Sequence, residues 1–210
     1  MNKQIRKAVL SDAAALMAIK NQLSFTKIDG TSTTGGFLLG TDLSTYELYI
    51  EQTHVLVAEQ EGRVVGFGIF FNDAWLRKSD LWQRREQVDW QLDMHVLEAS
   101  TLAYIEQLAF LPGHRKQALL LIYNLVHWAY HLSHEALLTT TVKSPILNLA
   151  AVPYIMAAGG QQVGHIDEVY PVIGDICSDI YLLQKKDFYQ RLEQHSLHEF
   201  FLAHTFVPHD

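Results

Sequence analysis

The sequence predicts a single domain of mixed α/β architecture, with helices flanking a mixed sheet. The clearest observation is an apolar strand, Tyr104 to Phe110, that leads through a Pro-Gly turn into an apolar helix over Arg115 to Ser133. Before it come a strand, two helices and a strand pair joined by Gln60-Glu61-Gly62, a hairpin pattern. The chain has 210 residues, 49% of them apolar, which suits one core of this size. Residues 1–210 are therefore expected to form one domain.

The first elements follow from short-range patterns. Ser11 stands where a helix N-cap is expected, and Leu16, Ile19 and Leu23 recur at helical spacing after it. The other elements expected before Tyr104 are strands over Gln4–Val9, His54–Ala58 and Val64–Phe71 and a helix over Leu43–Gln52.

The elements after the long helix are read in the same way. Pro153 fits the first turn of a helix and Gly159 fits its end. Strands are expected on both sides of that helix, and a C-terminal helical extension is expected over about 187–210. The expected strands are Ala136–Val142, Gln161–Glu168 and Ser178–Gln184, and the last helix is expected over Asp187–Phe201.

Residues 72–101 form a stretch longer than a tight hairpin loop needs, and we treat it as an insertion. It carries Trp75, Trp82 and Trp90 among charges of both signs. These rings could pack a surface helix onto the sheet, wall a substrate pocket, or form a homodimer contact. Its mixed charges suit a zwitterionic or carboxylate-bearing substrate better than a polycation.

Composition narrows the classes of partner. A formal net charge of −7 argues against a general nucleic-acid binder. Cys177 is the one cysteine, so no disulfide can form within the chain. The first residues lack an apolar signal core, and no apolar run is long enough to span a bilayer. A cytoplasmic protein with no membrane or nucleic-acid partner is expected.

The turn after Phe110 predicts an anion site. A strand that feeds a helix through a basic turn directs backbone N–H groups and the positive end of the helix dipole at one place. Arg115 and Lys116 stand at that turn. They could bind a phosphate there, or they could simply be solvated.

Two motifs resemble those of the GNAT N-acetyltransferase superfamily. In the first, Phe110, Pro112 and Arg115 match the acyl-CoA-binding turn, while its two glycine positions fall on Ala118 and Leu120. The second motif in that family reads Asn-x-x-Ala-x-Pro-Phe-Tyr-x-x-x-Gly. Its matching residues in this chain are Asn148, Ala151, Pro153 and Gly159.

The resemblance implies a GNAT-like fold and acetyl-CoA or another acyl-CoA as co-substrate. It implies that the acyl arm pairs with the backbone of Leu108, Ala109 and Phe110, and that Asn148 lies at the cofactor. The pyrophosphate would bind the N–H groups of Arg115, Lys116, Gln117, Ala118, Leu119 and Leu120. The Leu120 side chain is expected to crowd that pyrophosphate.

Glu106 is the candidate general base. It lies within an otherwise apolar strand, where burial raises the pKa of a carboxyl group towards neutrality. It could instead point to solvent or pair with a cation. The family's proton donor falls on Ile155, which cannot donate, and Tyr154 beside it is the substitute candidate.

His127, His131 and His134 recur on one helix face, but no carboxylate or cysteine joins them in sequence, so no metal site is assigned. The favoured function is an acyl-CoA-dependent N-acyltransferase, with acetyl as the expected group and a small amine-bearing molecule as acceptor. The alternative is a GNAT-like protein that binds acyl-CoA, or acts as a regulator, without turnover.

Overall fold

A computed structural model describes residues 3–25, 30–36, 40–170 and 173–208. Within these residues an eight-stranded sheet has the order β1-β3-β4-β6-β7-β10-β9-β5, and β2 pairs with β8 in a separate parallel ribbon. The strands are β1 (Lys3–Lys7), β2 (Gly30–Ser32), β3 (His54–Gln60), β4 (Arg63–Phe71), β5 (Asp89–Trp90), β6 (Leu102–Phe110), β7 (Ala136–Ser144), β8 (Ile146–Asn148), β9 (Gln161–Tyr170) and β10 (Gly174–Gln184). The helices are α1 (Ala13–Gln22), α2 (Leu43–Gln52), α3 (Asp73–Leu76), α4 (Asp80–Gln83), α5 (Met94–Ala99), α6 (Arg115–His131), α7 (Val152–Ala157), α8 (Lys185–Glu193) and α9 (His198–Leu202).

The predicted mixed α/β architecture is confirmed, and most predicted elements are present with shifted ends. Two local expectations are wrong. A 3-10 turn over Leu10–Asp12 precedes α1, so Ser11 is not an N-cap. The side chain that bonds the backbone at this helix start is that of Asp12, whose Oδ2 accepts a hydrogen bond from Val9 N–H at 2.9 Å. The single C-terminal helix expected over Asp187–Phe201 is two helices, α8 and α9.

The sheet separates two hydrophobic clusters. The front cluster packs α1 and α2 against the sheet through residues such as Leu16, Tyr46 and Phe67. The back cluster packs α6, α8 and α9 on the opposite face through residues such as Leu121 and Phe188. No helix among the described residues is long and apolar enough to cross a membrane.

β6 and β7 form the parallel pair of the sheet, and their pairing is short. It runs from Leu102 opposite Ala136 to Ile105 opposite Thr139 and then stops. Beyond that point β6 stays paired with β4, while β7 stays paired with β10. The two strands therefore diverge, which opens the middle of the sheet between Glu106 and the end of β6.

Helix α6 holds the diverging β6 from behind. Because its apolar residues repeat at three- and four-residue spacing, one side of the helix is buried in the back cluster. Leu120 and Leu121 are 3% and 0% exposed there, whereas Lys116, in the first turn of the helix, is exposed.

Leu120→Ala is therefore expected to reduce the free energy of unfolding by about 2–5 kcal/mol, because it leaves a cavity in a packed core. Urea unfolding monitored by circular dichroism measures the loss. Lys116→Ala, at an exposed position in the first turn of the same helix, is the matched control and should change stability by less than about 0.5 kcal/mol. Equal effects of the two substitutions would contradict the placement of Leu120 in the core.

Candidate active site

A cavity of about 600 Å³ occupies the opening between β6 and β7. Its walls include Glu106 to Phe110 from β6 and Thr139 to Val142 from β7, with Ile122 and Val126 of α6 behind them. On the front side it reaches the segment that precedes β6, and beyond the strand ends it reaches α7. The divergence of the two strands thus creates the main concave site among the described residues.

A β-bulge on β6 fixes how its side chains enter this cavity. Ile69 of β4 pairs with Gln107, and the next residue, Phe70, pairs with Ile105, so Glu106 has no partner on β4. Ile105 and Leu108, three positions apart, both pack into the back cluster. Glu106 and Gln107 lie between them and both face the front side.

Gln107 is held in place by two hydrogen bonds. The hydroxyl of Tyr46, a fully buried residue of α2, donates to Gln107 Oε1 at 3.0 Å, and Gln107 Nε2 donates to Thr41 Oγ1 at 3.1 Å. Because the bulge residue and Gln107 are consecutive, these bonds also restrict the backbone that carries Glu106.

Glu106 is half-buried in the cavity wall, and among the described residues it has no hydrogen-bond or ion-pair partner. Burial raises its pKa from 4.5 to about 7, since an unpaired carboxylate is poorly solvated there. Glu106 therefore faces the strand opening, one of the orientations that the sequence left open, and it pairs with no cation among the described residues. A carboxyl group with a pKa near neutrality can accept a proton at physiological pH.

Several tyrosines surround Glu106, an arrangement that no sequence pattern indicated. Burial, and secondly the negative charge of Glu106, raises the pKa of Tyr49 to about 12 and that of Tyr104 further. Tyr104 also shares a hydrogen bond of 2.8 Å with Thr140 across the opening. These phenols stay protonated near neutral pH, so they present neutral hydroxyl groups and ring faces to the cavity.

The open edge of β6 presents unpaired backbone groups. Leu111 N–H donates to Val65 O of β4 at 2.8 Å. Backbone groups of successive residues in a strand point alternately to its two edges. The N–H and C=O groups of Leu108 and Phe110 therefore point away from β4, into the opening, while those of Ala109 point towards β4.

The first turn of α6 is the place where an anion site was predicted. His114 is the N-cap residue, and no side chain caps the helix, so the N–H groups of Arg115, Lys116 and Gln117 have no acceptor among the described residues. The side chains of Arg115 and Lys116 are exposed and form no ion pair in the described structure. Gln60 at the end of β3 fixes this turn through hydrogen bonds to His114, at 3.1 Å, and to Gln117.

The rest of the predicted phosphate segment is part of the helix. Ala118 N–H donates to His114 O at 2.9 Å, and Leu119 and Leu120 lie within the following turn. The side chain of Leu120 packs in the back cluster, so the expectation that it crowds a pyrophosphate is wrong. Since α6 begins at Arg115, position 120 lies more than a full turn inside the helix, on its buried side.

The second motif lies at the other end of the cavity. Asn148 lines it and accepts a hydrogen bond from Ala150 N–H at 3.2 Å, which shapes the turn into α7. Tyr154 and Ile155 of α7 also line the cavity. The Tyr154 ring packs edge-on against Phe110, with 5.7 Å between ring centroids, over the end of β6.

The segment 72–101 forms the front wall of the cavity through Trp75 and residues 78–81. Trp75 packs with Tyr49 and Phe71, and Phe71 contacts Tyr104, which makes a continuous aromatic cluster beside Glu106. Trp82 is instead 5% exposed, with the guanidinium of Arg77 over its ring.

Trp90 does not reach the cavity either; it is half-buried and donates through Nε1 to Arg85 O at 2.8 Å. Of the three tryptophans that could have walled a pocket, Trp75 lines the cavity, and Trp82 and Trp90 do not.

Charges at this wall are unequally paired. Arg84 pairs with both Asp80 and Glu168, two carboxylates that line the cavity. Lys78 also lines the cavity and forms no ion pair among the described residues. Lys78 and Glu106 are therefore the two lining charges without an opposite charge beside them in the described structure.

The histidine series is accounted for by packing. His127 shares a hydrogen bond of 3.0 Å with the hydroxyl of Tyr189, and the rings of His127 and His131 stack with their centroids 6.5 Å apart. His134 is buried beyond the end of α6 and contacts Phe70. Among the described residues, no group of three or more histidine, cysteine or acidic side chains could hold a metal ion.

A sequence model of the acetyltransferase (GNAT) family matches residues 29–159. No curated protein sequence matches the chain. The fold is similar to an N-acetyltransferase from Staphylococcus aureus Mu50, with 17% identity and a TM-score of 0.60 over 88% of this chain and 99% of that one.

A protein of Salmonella typhimurium assigned as an acetyltransferase, whose structure includes its cofactor acetyl-CoA, gives 18% identity and a TM-score of 0.61 over 88% and 94% of the two chains. The polyamine N-acetyltransferase of Drosophila melanogaster gives 12% identity and a TM-score of 0.55 over 87% and 100%.

Glu106→Gln is expected to stabilise the apo protein at pH 8 by about 1 kcal/mol, or about 2–4 °C in Tm, and much less at pH 5. The folded-state pKa of Glu106 lies above 4.5, so the folded state binds more protons between pH 4.5 and about 7 and loses stability as pH rises through that window. The neutral amide removes this cost.

Thermal melts at the two pH values measure the effect. Glu47→Gln, at an exposed position of α2, is the control and should leave both melts unchanged. A Glu106→Gln variant that is less stable at pH 8 than at pH 5, relative to wild type, would contradict an unpaired buried carboxylate.

Proposed function

Because the chain belongs to the acetyltransferase (GNAT) family, for which acetyl-CoA is the cofactor, we propose that it transfers an acetyl group to the primary amine of a small acceptor, with Glu106 as general base. The observation that carries this proposal is the half-buried, unpaired carboxylate at the point where β6 and β7 diverge. Its location and its pKa near 7 both suit removal of a proton from an amine.

The residues present fit acetyl-CoA. The opening offers the N–H and C=O groups of Leu108 and Phe110 along one edge, and the first turn of α6 offers uncapped N–H groups beside Arg115 and Lys116. Asn148 lies at the same cavity. When bound, the cofactor supplies an acetyl thioester, a reactive carbonyl with a thiolate leaving group.

The chain's own groups then account for the proton transfers. An amine reaches the cavity as an ammonium ion, and Glu106 accepts its proton directly or through one water, which frees the nitrogen lone pair for attack. As the new C–N bond forms, the C–S bond breaks and the thiolate needs a proton. We assign this proton to the hydroxyl of Tyr154, which lines the cavity beside Phe110. The nitrogen loses its second proton as the amide forms, and that proton restores the Tyr154 hydroxyl through water.

The acceptor side of the cavity supports a narrower substrate class, an aromatic or apolar amine that also carries a carboxylate. The cluster of Tyr49, Phe71, Trp75 and Tyr104 offers flat apolar surface beside Glu106. Lys78 is the lining cation that lacks a carboxylate partner among the described residues, so it is available for one on the substrate.

Glu106→Gln is expected to lower acetyl transfer by about 10²-fold and to leave the stabilisation by acetyl-CoA unchanged, because the amide cannot accept the proton. Turnover is followed as free thiol release, and cofactor binding as the rise in Tm on adding acetyl-CoA. In the wild type, kcat/KM should fall as pH drops below about 7, where Glu106 becomes protonated.

Glu47→Gln again serves as the control and should behave as wild type. Undiminished turnover by Glu106→Gln would assign the base elsewhere. A wild-type protein that is stabilised by acetyl-CoA but acetylates no member of a panel of small amines would favour a binding or regulatory protein. A wild-type protein that neither is stabilised by acetyl-CoA nor acetylates any of these amines would refute the proposal.

Lys78→Met is expected to raise KM for phenylalanine about tenfold while leaving KM for phenethylamine unchanged, since only phenylalanine has a carboxylate to lose its partner. Steady-state kinetics with the two acceptors measure this difference. Lys186→Met, which alters an exposed lysine of α8, is the control. An equal effect on both acceptors would show that Lys78 does not bind the carboxylate.

A further inference from the structure

A second, narrow groove of about 60 Å³ lies where α8 packs against α6 and α7. Leu119 and Ile122 of α6 form one side, Tyr154 and Ala158 of the α7 region form another, and Phe188 and Arg191 of α8 form the third. Three of these residues, Ile122, Tyr154 and Ala158, also line the large cavity. The groove therefore borders the candidate active site, with these three side chains between the two.

Close packing sets the position of α8 beside the gap between α6 and α7. A Cβ atom added to Gly159, just after α7, would lie 3.3 Å from Arg191 Cδ and 3.3 Å from the carbonyl carbon of Asp187. Gly159 also has a φ of +96°, which favours glycine. Phe188 and Leu192, 5% and 8% exposed, anchor the other side of α8 in the back cluster. The helix thus has a fixed position that brings Arg191 to the rim of the groove.

Arg191 has no evident structural partner. It is exposed, and it forms no ion pair or hydrogen bond within the described part of the chain, although Asp187 lies one turn earlier on the same helix. Its neighbour in the groove, Leu119, lies four residues after Arg115 on α6, and residues at this spacing share a helix face. Arg115 and Arg191 therefore approach the same gap from two helices, in a chain whose formal net charge is −7.

We propose that α8 forms a wall of the acetyl-CoA site and that Arg191 binds a phosphate group of the cofactor. The proposal rests on the proposed function. The apolar sides of the groove hold α8 beside the gap between α6 and α7, and the unpaired guanidinium at its rim suits a phosphate, which it can bind with two parallel hydrogen bonds. Arg115 and the first turn of α6 then hold the phosphates from one side and Arg191 from the other.

The test is calorimetric titration of the apo protein with acetyl-CoA. Arg191→Met should raise Kd about tenfold, and Arg191→Lys, which keeps the charge but loses the paired hydrogen bonds, should raise it by a smaller factor. Lys186→Met, another exposed cation of α8 outside the groove, should bind as wild type. Thermal melts without ligand check that the variants fold, because all these side chains are exposed.

Two truncated cofactors locate the contact. With S-acetylpantetheine, which has no phosphate, the effect of Arg191→Met should disappear. With 3′-dephospho-acetyl-CoA, a remaining effect assigns Arg191 to the pyrophosphate, and a lost effect assigns it to the 3′-phosphate.

Arg191→Met that binds acetyl-CoA like wild type, a similar loss in Lys186→Met, or a loss that persists with S-acetylpantetheine would each overturn the assignment. These results differ from a failure of the proposed function, in which the wild-type protein itself would not bind acetyl-CoA.

Discussion

The end of pairing between β6 and β7 is the constraint on which the site depends. Each strand keeps its other neighbour, β4 or β10, so the sheet stays intact while its middle opens after Ile105 and Thr139. A paired parallel edge would have used the backbone groups of Leu108 and Phe110 within the sheet. The divergence leaves these groups free and makes a cavity lined by two strands rather than by loops. The positions of the reacting groups are therefore set by rigid elements.

The unpaired carboxylate of Glu106 costs stability, and its surroundings limit that cost. The tyrosines beside it are neutral, and the strand that carries it is fixed by Gln107, Tyr46 and Thr41. A cation in place of one tyrosine would pair with the carboxylate and lower its pKa, which would stabilise the fold and weaken the base. The absence of such a cation among the described neighbours is therefore consistent with a group kept ready to accept a proton.

Sequence reasoning succeeded where the determinants are local. The apolar strand, the Pro112-Gly113 turn and the helix after it specify β6, the uncapped turn and α6, and the carboxylate in the strand was recognisable from its polarity alone. It failed where the determinant is a distant partner. The bulge at Glu106 exists because of the register with β4, and the tyrosines of α2 reach the carboxylate only through tertiary packing.

Leu120 shows a different kind of error. Its position in a motif suggested a ligand contact, whereas the helical period that starts at Arg115 places it in the core. Counting turns from the helix start would have found this. Trp75 could not have been chosen over Trp82 in the same way, because both lie in short helices whose orientation depends on the rest of the fold.

The bulge on β6 also reverses the odd–even rule of the strand. Before it, even-numbered Tyr104 faces the front cluster, and after it, odd-numbered Ala109 does. Deletion of one residue at the bulge would restore the regular alternation of side chains. It would remove either Glu106 itself or the shift that turns Gln107 and Ala109 to the front. The shift in side-chain alternation along β6, rather than any one residue, therefore places an acid at the opening and apolar groups against α6. Homologous chains are best aligned by matching the position of this bulge, even where the residues on both sides of it differ.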